Sequence, residues 1–241
     1  MKILIPMSGL GARFAQAGYT FPKPLIDVNG KPMIQRVVEN IWYPGADYIF
    51  VVQQEHCKKF ALEDTLKRIV PSTSIAHIVQ LSTITEGAAI SALKAEHLIN
   101  NNDQLLIANS DQIVHSNWNN FNLFRKLVSK TPCGIILVFN SIHPKWSFVR
   151  LDQEMVVEVA EKRPISDIAT VGIYYYSAGS IFVDSVYSMV HKNRRTNSEF
   201  YIAPTYNEMV ERGIPVYPFY VDKMFGLGDP ESLESFISSE I

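Results

Sequence analysis

Short apolar runs alternate with helix-periodic stretches through the first 140 residues. The runs predict strands over 2–7, 48–53, 74–81, 104–109 and 133–140, and the periodic stretches predict helices over 33–42, 56–70, 87–99 and 117–129. Ile49-Phe50-Val51-Val52 and Ile135-Ile136-Leu137-Val138 are apolar without alternation, as in parallel strands covered on both faces. Repeated strand–helix–strand units imply a doubly wound α/β sheet that takes ligands at the C-terminal ends of its strands.

Beyond residue 140 the order changes. Segments 147–151 and 156–160 flank Asp152-Gln153-Glu154 and read as a hairpin. A strand over 169–176, helices over 179–191 and 199–212, a strand over 215–221 and a helix over 230–238 follow. This half reads as an antiparallel extension of the same sheet. The expectation is one domain over 1–241, with halves at 1–140 and 141–241 and a Rossmann-like three-layer α/β/α mixed sheet. No repeats or low-complexity linkers interrupt it, and the hexapeptide repeats of a β-helix are absent.

Composition narrows the class. Of 241 residues 47% are apolar, enough for a substantial core, and the net charge of −2 argues against a nucleic-acid or acidic-membrane surface. No apolar run is long enough for a transmembrane helix. The chain passes from Met1-Lys2 directly into a strand, so no signal peptide and a cytoplasmic location are expected. Cys57 and Cys133 are too few for a disulfide framework or a zinc site, and the histidines show no metal spacing. Assembly into a homo-oligomer is left open.

The first strand breaks into Ser8-Gly9-Leu10-Gly11-Ala12-Arg13, and Pro22-Lys23-Pro24-Leu25 follows. Glycine removes the Cβ that would keep a phosphate from backbone N–H groups, and Arg13 and Lys23 add positive charge at the same mouth. The combination suits a polyphosphate. A dinucleotide fingerprint would need a third glycine where Phe14 stands, and a P-loop would not set its lysine between prolines. Asp111 ends the run 104–111, where a carboxylate can hold a divalent cation over bound phosphates.

Gly9, Gly11, Arg13, Pro22, Lys23 and Leu25, followed by Gly30-Lys31-Pro32-Met33, resemble the opening signature of the sugar-phosphate nucleotidyltransferases. The resemblance covers the chain, although its specific motifs lie before residue 40. It implies that 1–140 binds a nucleotide and 141–241 an acceptor. Ser8, Gly9, Leu10 and Gly11 would cradle the phosphates. Gln80, Gly87 and Ala88 would hold the nucleobase, Gly87-Ala88-Ala89 being a near match to the family's Gly-Thr-Ala. Arg13 and Lys23 would be catalytic, and Mg²⁺ on Asp111 the cofactor. Glu161-Lys162, Gly172 and Glu199 would contact the acceptor, although Arg163 makes the Glu-Lys-Pro motif one residue longer. In Gly226-Leu227-Gly228-Asp229-Pro230-Glu231, Gly226 stands where the family has its second metal-binding aspartate, so Asp222 or Asp229 would have to substitute.

The implied reaction joins an NTP to a sugar 1-phosphate and releases pyrophosphate, feeding nucleotide-sugar and polysaccharide synthesis. The partners would be the NTP and a phosphorylated small molecule, without nucleic acid or membrane. Three alternatives stay open: a cytidylyltransferase for a non-sugar phosphate such as phosphocholine, a GT-A glycosyltransferase and a non-catalytic nucleotide-binding module. Asp111-Gln112-Ile113 lacks the Asp-x-Asp of the glycosyltransferases, and Gly226 motivates the binding module.

Overall fold

The computed structural model describes residues 1–239. The chain runs β1 (Lys2–Pro6), α1 (Ala12–Gln16), β2 (Asp27–Val28), β3 (Lys31–Pro32), α2 (Met33–Asn40), β4 (Asp47–Gln53), α3 (Gln54–Phe60), α4 (Leu62–Ile69) and β5 (Ile75–Leu81). It continues through α5 (Ala88–Leu93), α6 (Glu96–Ile99), β6 (Leu105–Ala108), β7 (Gln112–His115), α7 (Trp118–Val128) and β8 (Gly134–Asn140). Then come β9 (Ser147–Asp152), β10 (Met155–Glu161), β11 (Ile168–Tyr176), α8 (Gly179–His191), α9 (Thr205–Glu211), β12 (Val216–Tyr220), β13 (Lys223–Gly226) and α10 (Pro230–Ser239).

Nine strands form one mixed sheet in which β6, β1, β4 and β5 are parallel neighbours. Strand β11 runs antiparallel beside β6 and also pairs β8 and β9. The second half is therefore largely the antiparallel extension expected, except that β12 runs parallel to β8. Alternate residues of β1 feed opposite faces. Leu4 joins a core with Ile49, Ile107 and Phe182, while Ile3 and Ile5 join one with Tyr48, Phe50 and Leu106. A third, smaller core packs Phe14, Ile26 and Met33 against Ile113, Leu227, Leu233 and Phe236. It seats the C-terminal helix against α1 and the segment 26–33 that follow the glycine loop.

Three departures from the expected elements have local causes. The helix expected over 56–70 is two helices, broken where Ala61 takes a left-handed φ of 49°. The helix expected from 199 begins at Thr205 instead, because Phe200 is tied by its backbone to Glu86 and Ala89. The four-residue strands β7 and β13, which pair antiparallel, escape sequence periodicity altogether. No helix among the described residues is long and apolar enough to cross a membrane.

Glu208 joins α9 to the end of α8. Its side chain is fully covered, and it accepts from Ser188 Oγ and Lys192 Nζ, both at 2.6 Å, and from Arg194 Nη1 at 2.9 Å. Burial pushes its carboxyl upward, but Lys192, Ser188 and Arg194 outweigh that and hold it below its ordinary 4.5. A depressed native value adds stability above the unfolded value, and this is lost as pH falls through the native one. Glu208→Gln is expected to lower unfolding stability by about 2 kcal/mol at neutral pH, the scale of a hydrogen bond to a charged group. Denaturant unfolding of both proteins should show the gap closing on acidification; a gap that stays constant contradicts the assignment.

Candidate active site

The C-terminal ends of β1 and β6, the start of α5, the loop 141–147 and the segments 161–162, 199–203 and 226–229 enclose a cleft of about 670 Å³. At one end lies the glycine loop. Gln53 Nε2 donates to Ser8 O at 2.6 Å, and Ser8 Oγ meets Ser91 Oγ at 2.9 Å, which itself meets Thr85 Oγ1 at 2.6 Å. The loop is thus fixed from behind. In front, the backbone N–H groups of Gly9 to Arg13 have no partner among the described residues, which leaves them free for an anion. Leu10, in the middle of this run, is exposed.

Lys23 Nζ and Asp111 Oδ2 form an ion pair at 2.5 Å, and both side chains are about four-fifths covered. Arg13 is more exposed, with Nη1 3.8 Å from Asp229 Oδ2. Asp229 accepts from Ser232 N at 2.9 Å and Ser232 Oγ at 3.0 Å, one bond to each oxygen, and so caps α10. Burial pushes its carboxyl up, but Ser232, Lys145 and Arg13 hold it below the ordinary range. Asp229 thus caps a helix with both oxygens and has Arg13 and Lys145 beside it, which makes it a poor substitute for the carboxylate missing at Gly226. Asp111 stands alone as a candidate ligand, and no group of three or more His, Cys, Asp and Glu side chains occurs among the described residues. The donor set does not build a resident divalent site.

The other end of the cleft is acidic and aromatic. Glu161 is largely buried, accepts from Ser147 Oγ and lies near Glu199 and Tyr174. Burial, helped by the Glu199 charge, raises its carboxyl above the ordinary range despite Ser147 and Lys162. Lys162, at a left-handed φ of 53°, sends Nζ to Tyr201 Oη at 2.7 Å and lies 4.6 Å above that ring. Glu161, Lys162, Glu199 and Tyr201 all line the cleft.

Gly87 and Gly172 both line the cleft. Gly87, at φ 112°, could carry no Cβ because the Phe200 carbonyl oxygen would lie 2.4 Å from it, so glycine here admits the Phe200 backbone. Gly172, at φ 77°, makes room for the Asn109 and Gln112 amides, and Gln112 Nε2 donates to Gly172 O at 3.0 Å. Gln80 leaves the site. It lies exposed on the edge strand β5, where Nε2 donates to Glu63 at 2.9 Å, and it does not line the cleft. Ala88 lines the cleft. Sequence reasoning missed Lys145 and Trp146, which also line it; a lysine–tryptophan pair in a loop between strands was the only signal.

Residues 2–238 match the family model for nucleotidyl transferases. A 2-aminoethylphosphonate cytidylyltransferase of Lancefieldella rimae is 28% identical over 176 residues, 73% of this chain and 66% of that protein. A UTP–glucose-1-phosphate uridylyltransferase of Staphylococcus saprophyticus is 40% identical over 63 residues, 26% of this chain and 21% of that protein. The chain thus spans less than two thirds of either relative. Among solved structures, a nucleoside-diphosphate-sugar pyrophosphorylase of Vibrio cholerae superposes with a TM-score of 0.83 at 22% identity, covering 98% of this chain and 99% of that one. A UDP-glucose pyrophosphorylase complexed with UDP-glucose gives 0.76 at 20% identity, covering 99% and 97%. These two likenesses establish the fold. With a glycine loop backed by Gln53 and Ser91, the pair Lys23–Asp111 beside it and a family match over nearly every residue, the chain belongs to the nucleotidyl transferase family.

Proposed function

We propose that this protein transfers a nucleotidyl group from an NTP to a phosphorylated or phosphonate-bearing small molecule and releases pyrophosphate. The observation that carries the reading is one cleft with two unlike ends. Free N–H groups with Arg13 and Lys23 form one end, and Lys162 with two carboxylates forms the other. An acceptor oxygen attacks the α-phosphorus of the NTP; a P–O bond forms as the bond to pyrophosphate breaks. A phosphate or phosphonate dianion is already nucleophilic at neutral pH, so no general base is required. Catalysis then rests on alignment and on charge offered to two approaching anions. Arg13 and the loop hold the terminal phosphates, Lys23 turns from Asp111 to the α-phosphate, and Lys162 turns from Tyr201 to the acceptor.

For the acceptor's head, Glu161, Glu199 and the Tyr201 ring favour a cationic amine over the hexose expected from the sequence. Two neighbouring carboxylates, one of them partly buried, repel each other until a cation lies between them, and an aromatic face adds attraction. The Lancefieldella relative, named for 2-aminoethylphosphonate, points the same way. A sugar 1-phosphate remains the second reading, supported by the staphylococcal relative named for glucose 1-phosphate.

Pyrophosphate release, with the four NTPs and dTTP crossed against aminoalkyl phosphonates, phosphocholine and hexose 1-phosphates, tests both readings. Turnover with amine-bearing acceptors is the expected result; turnover with hexose phosphates alone sinks the amine assignment. Lys23→Ala is expected to lower kcat by about 10²–10³, the scale of losing one preorganised charge donor. Near-normal kcat would remove Lys23 from the chemistry.

Because burial raises Glu161, its charge disappears at a higher pH than that of an ordinary glutamate. The KM for an amine acceptor should therefore rise as pH falls through that raised value. Glu161→Gln should raise KM about tenfold or more, the scale of a charge-assisted bond, and flatten this pH dependence. Unchanged KM and an unchanged pH profile in the variant would count against the ion pair.

A further inference from the structure

Lys145 and Trp146 line the cleft beside Gly226, Gly228 and Asp229, yet nucleotidyl transfer as derived above gives them no task. The Trp146 ring packs against Phe139 with centroids 5.7 Å apart, and Lys145 Nζ lies 4.7 Å from the centre of the indole. A Cβ at residue 226 would sit 2.7 Å from Trp146 Cη2. The indole therefore fills the space into which a carboxylate at 226 would extend. The neighbouring oxygens are committed as well. Each Asp229 oxygen accepts one bond from Ser232, and Asp111 Oδ2 faces Lys23 on one side and Gly228, whose Cβ would lie 2.7 Å away, on the other. Mg²⁺ asks for six oxygens in near-octahedral order at about 2.0–2.1 Å. This corner offers one carboxylate that is already neutralised.

Positive charge is present there in another form. Lys145 Nζ reaches Ser232 Oγ at 3.3 Å, and Lys145 and Arg13 both act on the Asp229 carboxylate. A polyphosphate lying along the glycine loop thus meets Arg13 and Lys145 around one fixed anion.

We propose that this chain holds no divalent cation of its own, and that Lys145, braced on Trp146, gives the nucleotide's polyphosphate the fixed positive charge that a carboxylate-held ion would give. Any divalent ion arrives already chelated by the nucleotide, with Asp111 as its one protein contact. The inference rests on the reading that the cleft binds an NTP.

Two measurements test it. Mn²⁺ is titrated into the nucleotide-free protein and followed by the loss of its free-ion EPR signal. The four NTPs and dTTP are then titrated by calorimetry, once in EDTA and once in Mg²⁺. No saturable Mn²⁺ uptake is expected, together with nucleotide binding in EDTA within about tenfold of that in Mg²⁺; Lys145→Ala should weaken binding in EDTA by about tenfold, one charge-assisted contact. Saturable Mn²⁺ uptake, nucleotide binding that survives only in Mg²⁺, or Lys145→Ala binding as well as the parent in EDTA each overturn the proposal. Absence of nucleotide binding in both media would instead overturn the nucleotidyl-transfer reading on which it stands.

Discussion

The ion pair between Lys23 and Asp111 joins the segment after the glycine loop to the end of β6, and it is the contact that a nucleotide must rearrange. An ammonium 2.5 Å from a carboxylate neutralises it, so a largely covered corner carries no bare charge. A polyphosphate changes the balance because its own negative charge competes for Lys23. The remaining geometry serves that exchange. The third core holds Phe14, beside the loop, against Leu227 and Phe236 from the end of the chain. The anchored Ser8 carbonyl and hydroxyl keep the loop from collapsing into its own unfilled N–H groups.

Charge is arranged along the cleft in a definite order. Arg13, Lys23 and Lys145 lie toward the glycine loop and Asp229, while Glu161 and Glu199 lie beside Lys162. Neutral hydroxyl and amide groups also line the cleft, among them Thr85, Asn109 and Gln112. In the proposed reaction the cationic end takes the nucleotide's polyphosphate and the acidic end the acceptor's amine, and the two phosphorus-bearing groups meet between them. Burial sharpens the acidic end, because a covered glutamate beside a second carboxylate gains most from a cation.

Most of the fold was legible because the parallel strands are continuous apolar runs, and strands of that kind converge their C-terminal ends on one site. Ser8 to Arg13, Lys23 and Asp111 accordingly meet where the sequence placed them. What was not legible depends on contacts between distant segments. Nothing local in Gln112–His115 or Lys223–Gly226 marks these residues as a strand pair. The room that Gly87 yields to Phe200, and Gly172 to Asn109 and Gln112, depends on segments far away in the chain. Gln80 has the right residue type on a strand whose outer edge takes it to Glu63. Asp229 looked like a spare ligand until Ser232 showed it capping a helix.

The central claim is that one phosphorus atom changes partner inside this cleft. Phosphorus NMR of the protein incubated with CTP and 2-aminoethylphosphonate follows that event directly. The account predicts a coupled pair of signals from a new P–O–P bridge between the nucleotide and the phosphonate, growing in equal amount with pyrophosphate. Inorganic phosphate accumulating without a bridged product would contradict it, as would bound nucleotide that stays intact with every acceptor class.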